Sequence, residues 1–178
     1  DIPLLYGLAR RLDASGAEVW ARRQFPDSLL FDRFGAFDAI AGDPDGNAYV
    51  AGHFWTVPGL AMHIMLQKIG TDGVLAWESA VLDDPAWTSV EDLAVAADGS
   101  ATLAGRRGGE LWIAGCEPWI GERIWLRTRP VPPPARPGLA LDGTGASYVA
   151  SAVAGNPSGT DLLVLAHAFA GEILHLVD

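Results

Sequence analysis

The sequence predicts an all-β fold, and three observations support this prediction. Short stretches built around glycine, often with Asp or Asn, recur at residues 43–52, 96–105 and 141–151. The residues that flank them alternate in the period-two manner of half-buried strands. In addition, 21 glycines and 12 prolines interrupt every candidate helix before three helical turns can form. A series of β-hairpins fits all three observations.

The first kind of hairpin turn leads into an aromatic residue. It reads "RRLDASGAEVW" at 10–20, "QKIGTDGVLAW" at 67–77 and "GCEPWIGERIW" at 115–125, with a weaker copy, "AHAFAGEILH", at 166–175. The turn glycines are Gly16, Gly73, Gly121 and Gly171, and the rings four residues later are Trp20, Trp77, Trp125 and His175. Glycine supplies the positive φ that a tight reversal needs. We therefore expect the glycines to be structural and the three tryptophans to pack against neighbouring sheets.

The second kind of turn alternates with the first along the chain. It reads "DPDGNAYVAG", "AADGSATLAG" and "LDGTGASYVAS", and its turn glycines are Gly46, Gly99 and Gly145. Two hairpins in every ~50 residues make a four-stranded antiparallel unit, and repeats of about this length are the blades of a β-propeller. The sequence therefore predicts a propeller of four-stranded blades.

The hairpins divide into three complete blades and one unmatched hairpin. The Trp hairpins are expected to form the outer strands of each blade, and the other hairpins the inner strands. The predicted units are an outer hairpin at 4–25 and blades at approximately 36–81, 90–130 and 136–178, all within one segment over 1–178. About three and a half blades are too few to close a ring, because known propellers have at least four. We expect this segment to belong to a larger ring, with the missing inner strands lying before Asp1 or supplied by another chain.

The two hairpin patterns together resemble known bacterial propeller repeats. The Asp, Gly and Trp pattern, joined to "DGNAYVAG", is similar to the SBBP and delta-60 repeats, and "LDASGAEVW" also resembles the tryptophan-docking repeat of quinoprotein-like propellers. The third copy departs from the pattern, with "EPWIGE" in place of an Asp and Gly turn, and the fourth lacks the Trp. The resemblance implies a bacterial β-propeller with an extracytoplasmic or secreted location.

Composition excludes some classes of partner. The chain has 22 acidic and 12 basic residues and a formal net charge of −10, which disfavours phosphate backbones and anionic lipid. No apolar run reaches the ~18 residues that span a bilayer. We expect neither nucleic-acid binding nor membrane insertion. Cys116 is the single cysteine, so no internal disulfide forms, and we expect a small buried hydrophobic residue there.

The connections between hairpins hold most of the chemically distinctive side chains. In a propeller these connections, among them 53–63, 82–92 and 106–110, converge on one rim where partners bind. The binding candidates are Phe34, Phe37, His53, Phe54, Trp55, Asp84, Trp87, Arg106 and Arg107. Their aromatic rings suit a protein partner or a stacked sugar. Packing between blades is the alternative for the same rings.

Catalytic patterns are weak in this sequence. His53 and His63 flank one connection, so an acid–base or metal site can be drawn there. The HxH and HExxH spacings of metal sites are absent from the sequence. We predict no catalytic residue and no metal site.

One turn resembles the start of a calcium loop. Asp43, Asp45 and Asn47 place oxygen ligands at positions one, three and five. Ala48 and Phe54 stand where such a loop needs a glycine and a glutamate. A hairpin turn with Asx hydrogen bonds explains the same residues, so the prediction is no cofactor, with calcium as the alternative.

Three functional hypotheses follow. The first is a non-enzymatic recognition or assembly module that binds a protein partner through the loops of one rim. The second is a glycan-binding, lectin-like propeller that uses Trp55 and Trp87. The third is a fragment of a quinoprotein-like dehydrogenase, which the docking-repeat resemblance implies.

Overall fold

The computed structural model describes most of the chain in eight stretches. They are residues 7–23, 33–56, 61–84, 88–130, 137–142, 146–154, 160–167 and 173–177. These residues form fourteen β-strands and no helix, so the all-β class is confirmed. A membrane-crossing helix is therefore not found in the part of the chain that the structure describes.

Four antiparallel sheets follow one another along the chain. Sheet I contains β1 (Leu8–Leu12) and β2 (Glu18–Arg23). Sheet II contains β3 (Arg33–Gly42), β4 (Ala48–Thr56), β5 (Ala61–Ile69) and β6 (Leu75–Asp84). Sheet III contains β7 (Thr88–Val95), β8 (Ala101–Arg107), β9 (Glu110–Cys116) and β10 (Arg123–Pro130). Sheet IV contains β11 (Pro137–Leu141), β12 (Ser147–Ala154), β13 (Thr160–His167) and β14 (Ile173–Val177).

Strands in sheets II to IV pair in chain order, and sheet I holds a single hairpin. The predicted blades overlap these three sheets, but the strands of sheet II extend beyond the predicted 36–81 at both ends. The stretch 53–63, predicted as a connection, is strand up to residue 56 and again from residue 61. This part of the loop prediction was wrong, because residues 53–56 pair with β3 on one side and with β5 on the other. A closed ring is not seen among the described strands.

Tight turns join the strands at one end of sheets I, II and III. Gly16, Gly46, Gly73, Gly99 and Gly121 have φ angles of 85°, 84°, 82°, 86° and 73°. These values lie in the left-handed region that glycine adopts without steric cost. Gly145 and Gly171 lie outside the described residues.

The turn at 43–47 shows why Asp begins this pattern. The Gly46 N–H donates to the Asp43 carbonyl at 3.0 Å, and the Asp43 N–H donates to the Asn47 carbonyl at 3.1 Å. The Asp43 carboxylate then accepts the Asn47 backbone N–H at 2.8 Å. This is a three-residue hairpin loop locked by an Asx hydrogen bond.

Successive sheets pack face to face, and their first strands are neighbours. β7 contacts β3 on one side and β11 on the other. The largest core lies between sheets II and III and includes Tyr49, Leu66, Leu103 and Trp112. A second core joins sheets III and IV around Ile113 and Val149. Burial of these side chains holds the sheets together as one series.

Tryptophan rings lie on turn glycines of the following sheet. A Cβ atom at Gly73 would lie 2.9 Å from Cγ of Trp20, and a Cβ atom at Gly121 would clash with Cζ3 of Trp77. Trp125 instead covers Gly115, its neighbour in the same sheet, and joins the core with sheet IV. Trp20 and Trp77 therefore pack between consecutive sheets, and the glycines make room for their rings.

Candidate functional site

The candidate site lies at the sheet ends opposite the glycine turns described above. Antiparallel order places the β4–β5 and β8–β9 connections at this end, which we call the rim. The backbone of sheet II brings four predicted or neighbouring positions into one cross-strand row there, namely Phe34, Trp55, Met62 and Asp84. The rim of sheet II therefore contains a cross-strand row of aromatic, thioether and acidic residues.

Trp55 and His53 share one face of β4 because they are two residues apart. Both side chains are half-buried. Their rings meet edge to face, with centroids 4.7 Å apart and planes 82° apart. Tyr49 and Ala51, on the same face, belong to the core with sheet III. The two rings therefore continue that core outward to the rim.

Asp38 holds the His53 ring. A β-bulge between Phe37 and Ala39 leaves Asp38 as the extra residue of β3. Its carboxylate lies 2.6 Å from Nδ1 of His53, and the two side chains are about equally shielded from solvent. With Nδ1 engaged by the carboxylate, the orientation of the ring is fixed. Bulges commonly redirect a side chain in this way.

His63 belongs to a separate histidine–carboxylate pair. Its Nδ1 lies 2.5 Å from Oδ1 of Asp83, and its ring stacks on Phe54 at a centroid distance of 4.7 Å. Phe54 follows His53 directly in β4 and pairs with His63 across the strands, so His63 lies on the opposite face from His53. The two histidines therefore do not converge on one site. Among the described residues no group of three His, Cys, Asp or Glu is placed to hold a metal ion.

The rim of sheet III joins that of sheet II through Met62. The Thr88 N–H donates to Sδ of Met62 at 3.2 Å. Thr88 pairs with Arg107, and Arg107 pairs with Glu110 across a two-residue turn. Strand alternation places Arg107 on the same face as Leu103, which packs toward sheet II.

Arg106 lies on the other face of β8, with Ala104 of the sheet III–IV core. The two arginines therefore lie on opposite faces of sheet III. The structure brings His53, Trp55 and Arg107 to one side of the rim, together with Asp38. We call these four residues the rim cluster.

Two of the predicted binding residues lie among core residues. Phe37 packs against the cluster of Ala9, Trp20, Val50 and Ile69 between sheets I and II. Phe54 is buried. Both lie on the face of sheet II opposite Trp55, where Phe37 packs against that cluster and Phe54 stacks on His63. Trp87 lies outside the described residues, and for Phe34 and Asp84 only the strand positions are described.

The calcium-like turn already has a cation. Nζ of Lys68 lies 3.3 Å from Oδ2 of Asp43, whose side chain is buried. The same oxygen accepts a hydrogen bond from Nδ2 of Asn47 at 2.8 Å. Lys68 also sits 5.0 Å from the centre of the Tyr49 ring. With both oxygens of Asp43 engaged within the protein, the arrangement is that of a structural turn.

Lys68 and Asp43 form a charged pair with mutually favourable pKa values. Burial alone would lower the pKa of Lys68, but its contacts with Tyr49 and Asp43 outweigh burial, so the pKa is raised. Burial alone would raise the pKa of Asp43, but hydrogen bonds from Asn47 and the charge of Lys68 outweigh it, so the pKa is lowered. Both groups are charged at neutral pH.

Cys116 is buried in the core between sheets II and III. Burial raises the pKa of its thiol to about 12. The thiolate that reacts as a nucleophile is therefore scarce at neutral pH.

Sequence reasoning missed two surface features. Asp38 gave no pattern that links it to His53, since the bulge that aligns them depends on strand register. Trp119 lies in the irregular "EPWIGE" turn and is highly exposed. The Glu117 carboxylate fixes this turn by accepting the N–H groups of Trp119 and Ile120, at 3.0 and 2.7 Å.

Neither a scan of protein-family models nor a search of curated proteins finds a match to this chain.

Proposed function

We propose that this chain is a segment of a β-propeller that binds a protein partner through the rim cluster and catalyses no reaction. Two contacts support the propeller arrangement. β7 touches both β3 and β11, as the inner strands of adjacent blades do around a common axis. Trp20 and Trp77 each lie on a glycine of the following sheet, so one contact recurs between units.

The observation that carries the binding proposal is the fixed ring pair at the rim. Asp38 orients His53, and His53 meets the Trp55 ring edge to face. Rings held this way lose little conformational freedom on binding, which favours affinity. Tryptophan and arginine are also the side chains most often found at the energetic centre of protein interfaces. The rim cluster combines both types.

The charges of the rim cluster indicate the chemistry of the partner. The whole chain carries a formal net charge of −10, yet Arg107 places a cation at the rim end of β8, on the face of sheet III that packs toward sheet II. A protein loop with an apolar side chain next to a carboxylate fits these groups. The apolar side chain would cover Trp55, and the carboxylate would face the guanidinium.

The histidine geometry argues for binding over catalysis. His53 and His63 lie on opposite faces of sheet II, each with its own carboxylate. They therefore cannot act on one substrate as an acid and a base.

An extracytoplasmic or secreted location remains part of the proposal and follows from the repeat resemblance.

A peptide-display selection tests the proposal. Random peptides selected on the wild-type chain are expected to contain an apolar residue next to Asp or Glu. Calorimetry should then show at least about a tenfold loss of affinity for Trp55→Ala and for Arg107→Ala, as expected for central interface residues. Trp119→Ala is the matched control and should bind normally, because that tryptophan is 80% exposed in a different turn.

Two results would contradict the proposal. The first is peptides that bind Trp55→Ala as tightly as the wild type. The second is a glycan-array signal that disappears in Trp55→Ala while no peptide binds, which would favour the lectin hypothesis. Visible absorbance from a quinone bound to the purified chain would favour the dehydrogenase hypothesis.

A further inference from the structure

Sheet I has half the strands of the other sheets. Among the described strands β1 pairs with β2 alone. The strands in the equivalent place, β5, β9 and β13, each pair on both edges. In each of sheets II to IV, the strand on the inner edge belongs to a hairpin with the Asp and Gly turn. The inner edge of β1 therefore corresponds to an edge that such a hairpin pairs with elsewhere.

The exposure of Ile40 shows how this difference affects sheet II. Ile40 of β3 pairs with Val50, and Leu93 of β7 pairs with Leu103, at the same distance before the turn glycines. Ile40 is 59% exposed, whereas Leu93 is 5% exposed because sheet II covers it. An apolar side chain at this position is thus exposed on sheet II and buried on sheet III.

An open groove lies between sheet I and this face of sheet II. Its volume is about 480 Å³, and its lining includes Arg10, Arg11, Trp20, Ile40, Gly42 and Asn47. The groove continues the packing of Trp20 against Val50 and Ile69. It therefore lies at the inner end of an interface that already holds sheets I and II together.

The equivalent site in sheet II indicates the charge of the group that would bind in this groove. Arg11 stands five residues before Gly16, as Lys68 stands five before Gly73. Lys68 forms an ion pair with Asp43, the first residue of the inner hairpin turn. Arg11 instead donates to the carbonyls of Gly46 and Thr71, at 3.3 and 3.1 Å. A hairpin with an acidic turn residue would give Arg11 the carboxylate that Lys68 already has.

We propose that this groove binds one β-hairpin of the inner type, supplied by a partner polypeptide. The second strand of the hairpin pairs with the inner edge of β1, its first strand covers Ile40, and its turn carboxylate faces Arg11. This is strand addition to an exposed sheet edge, with backbone hydrogen bonds for affinity and Ile40 for specificity. The inference depends on the equivalence of the sheets and is independent of the rim cluster.

A synthetic peptide with the sequence of residues 88–107 serves as the probe, since it is an inner hairpin of this repeat. Calorimetry with the full chain is expected to show one-to-one binding, and a scrambled peptide of the same composition should not bind. Ile40→Asp should weaken binding at least about tenfold, because it places a charge against the incoming strand. Val74→Asp is the matched control: Val74 is 61% exposed, lies outside the groove, and should leave the affinity unchanged.

Replacing Ala96 of the peptide, the position equivalent to Asp43, with Asp tests the contact with Arg11. The substitution should strengthen binding about twofold to fivefold, and raising the salt concentration should reduce that gain. Binding no tighter than that of the scrambled peptide would overturn the proposal. So would light scattering that shows a dimer of the wild type and a monomer of Ile40→Asp, since a second copy of this chain would then occupy the groove.

Discussion

β1 and β5 each lead into a turn with glycine and then a tryptophan, yet their apolar side chains have opposite surroundings. Leu12 and Ile69 each stand four residues before a turn glycine, and Leu12 is 57% exposed whereas Ile69 is 0% exposed. Leu8 and Met65 differ in the same direction. The local turn geometry is nearly identical, with φ angles of 85° at Gly16 and 82° at Gly73.

The local sequence therefore sets the shape of each hairpin, while the neighbouring sheets set its burial. Sheet I covers Ile69 through Trp20 and Ala9. Among the described residues, no sheet covers Leu12 in that way. In a repeat architecture, stability comes from such contacts between adjacent units. Equivalent substitutions in the two strands should therefore have very different effects.

The largest expected effect comes from truncating these two residues. Ile69→Ala should lower the free energy of unfolding by about 2–5 kcal/mol, because it leaves a cavity beneath Trp20. Leu12→Ala should change it by less than about 1 kcal/mol, since that side chain is already in water. Urea denaturation of both variants measures the difference. Equal losses would mean that Leu12 is covered in solution, and the comparison would fail.

A smaller effect is expected at the turn glycines. Gly73→Ala should cost about 2–3 kcal/mol, since alanine strains the left-handed backbone and its Cβ atom displaces Trp20. Gly16→Ala should cost only the backbone strain, about 1 kcal/mol, because nothing lies within 4 Å of that position. Thermal unfolding followed by tryptophan fluorescence separates the two. A Gly16→Ala variant that loses as much stability as Gly73→Ala would show that a ring also lies on Gly16.

The smallest effect concerns the charged turn of sheet II. Asp43→Asn keeps the turn but removes the ion pair with Lys68, and at pH 7 it should cost about 1–2 kcal/mol. The folded state lowers the pKa of Asp43, so its carboxylate stabilises the fold above the unfolded value near 3.8. That stabilisation is lost as the pH falls through the lowered pKa. The difference between wild type and variant should therefore shrink below about pH 4.

Asp142→Asn is the control for this prediction. Asp142 accepts the Ala146 N–H at 3.0 Å in the equivalent turn of sheet IV, but it is exposed. Its substitution should cost less than that of Asp43. A gap between wild type and Asp43→Asn that widens on acidification would contradict the assignment of Asp43 as the charged partner.

The turns and the all-β class were predictable because they depend on short-range chemistry. A glycine that needs positive φ and an Asp that caps the turn are both visible in five consecutive residues, as at 43–47. The strand ends at the rim were less predictable, because the backbone continues through residues 53–56 that resembled a loop. Sheet pairing, which is a long-range effect, decided those ends.

The candidate site was only partly predictable. His53, Trp55 and Arg107 were visible as aromatic and charged residues near connections. Asp38 was not, because its contact with His53 depends on a bulge whose position only the register of β3 and β4 defines. Phe37 and Phe54 looked equivalent to Trp55 in the sequence, but strand alternation places them on the opposite face of sheet II, where Phe37 packs against a buried cluster and Phe54 is buried.

Native hydrogen exchange can show directly whether sheet I has an open edge at β1. The amides of β1 are predicted to exchange at least about a hundredfold faster than those of β5, since local opening of an edge strand is easier than opening of a central one. Protection of residues 8–12 equal to that of residues 61–69 would contradict the account. It would mean that β1 is already paired on both edges.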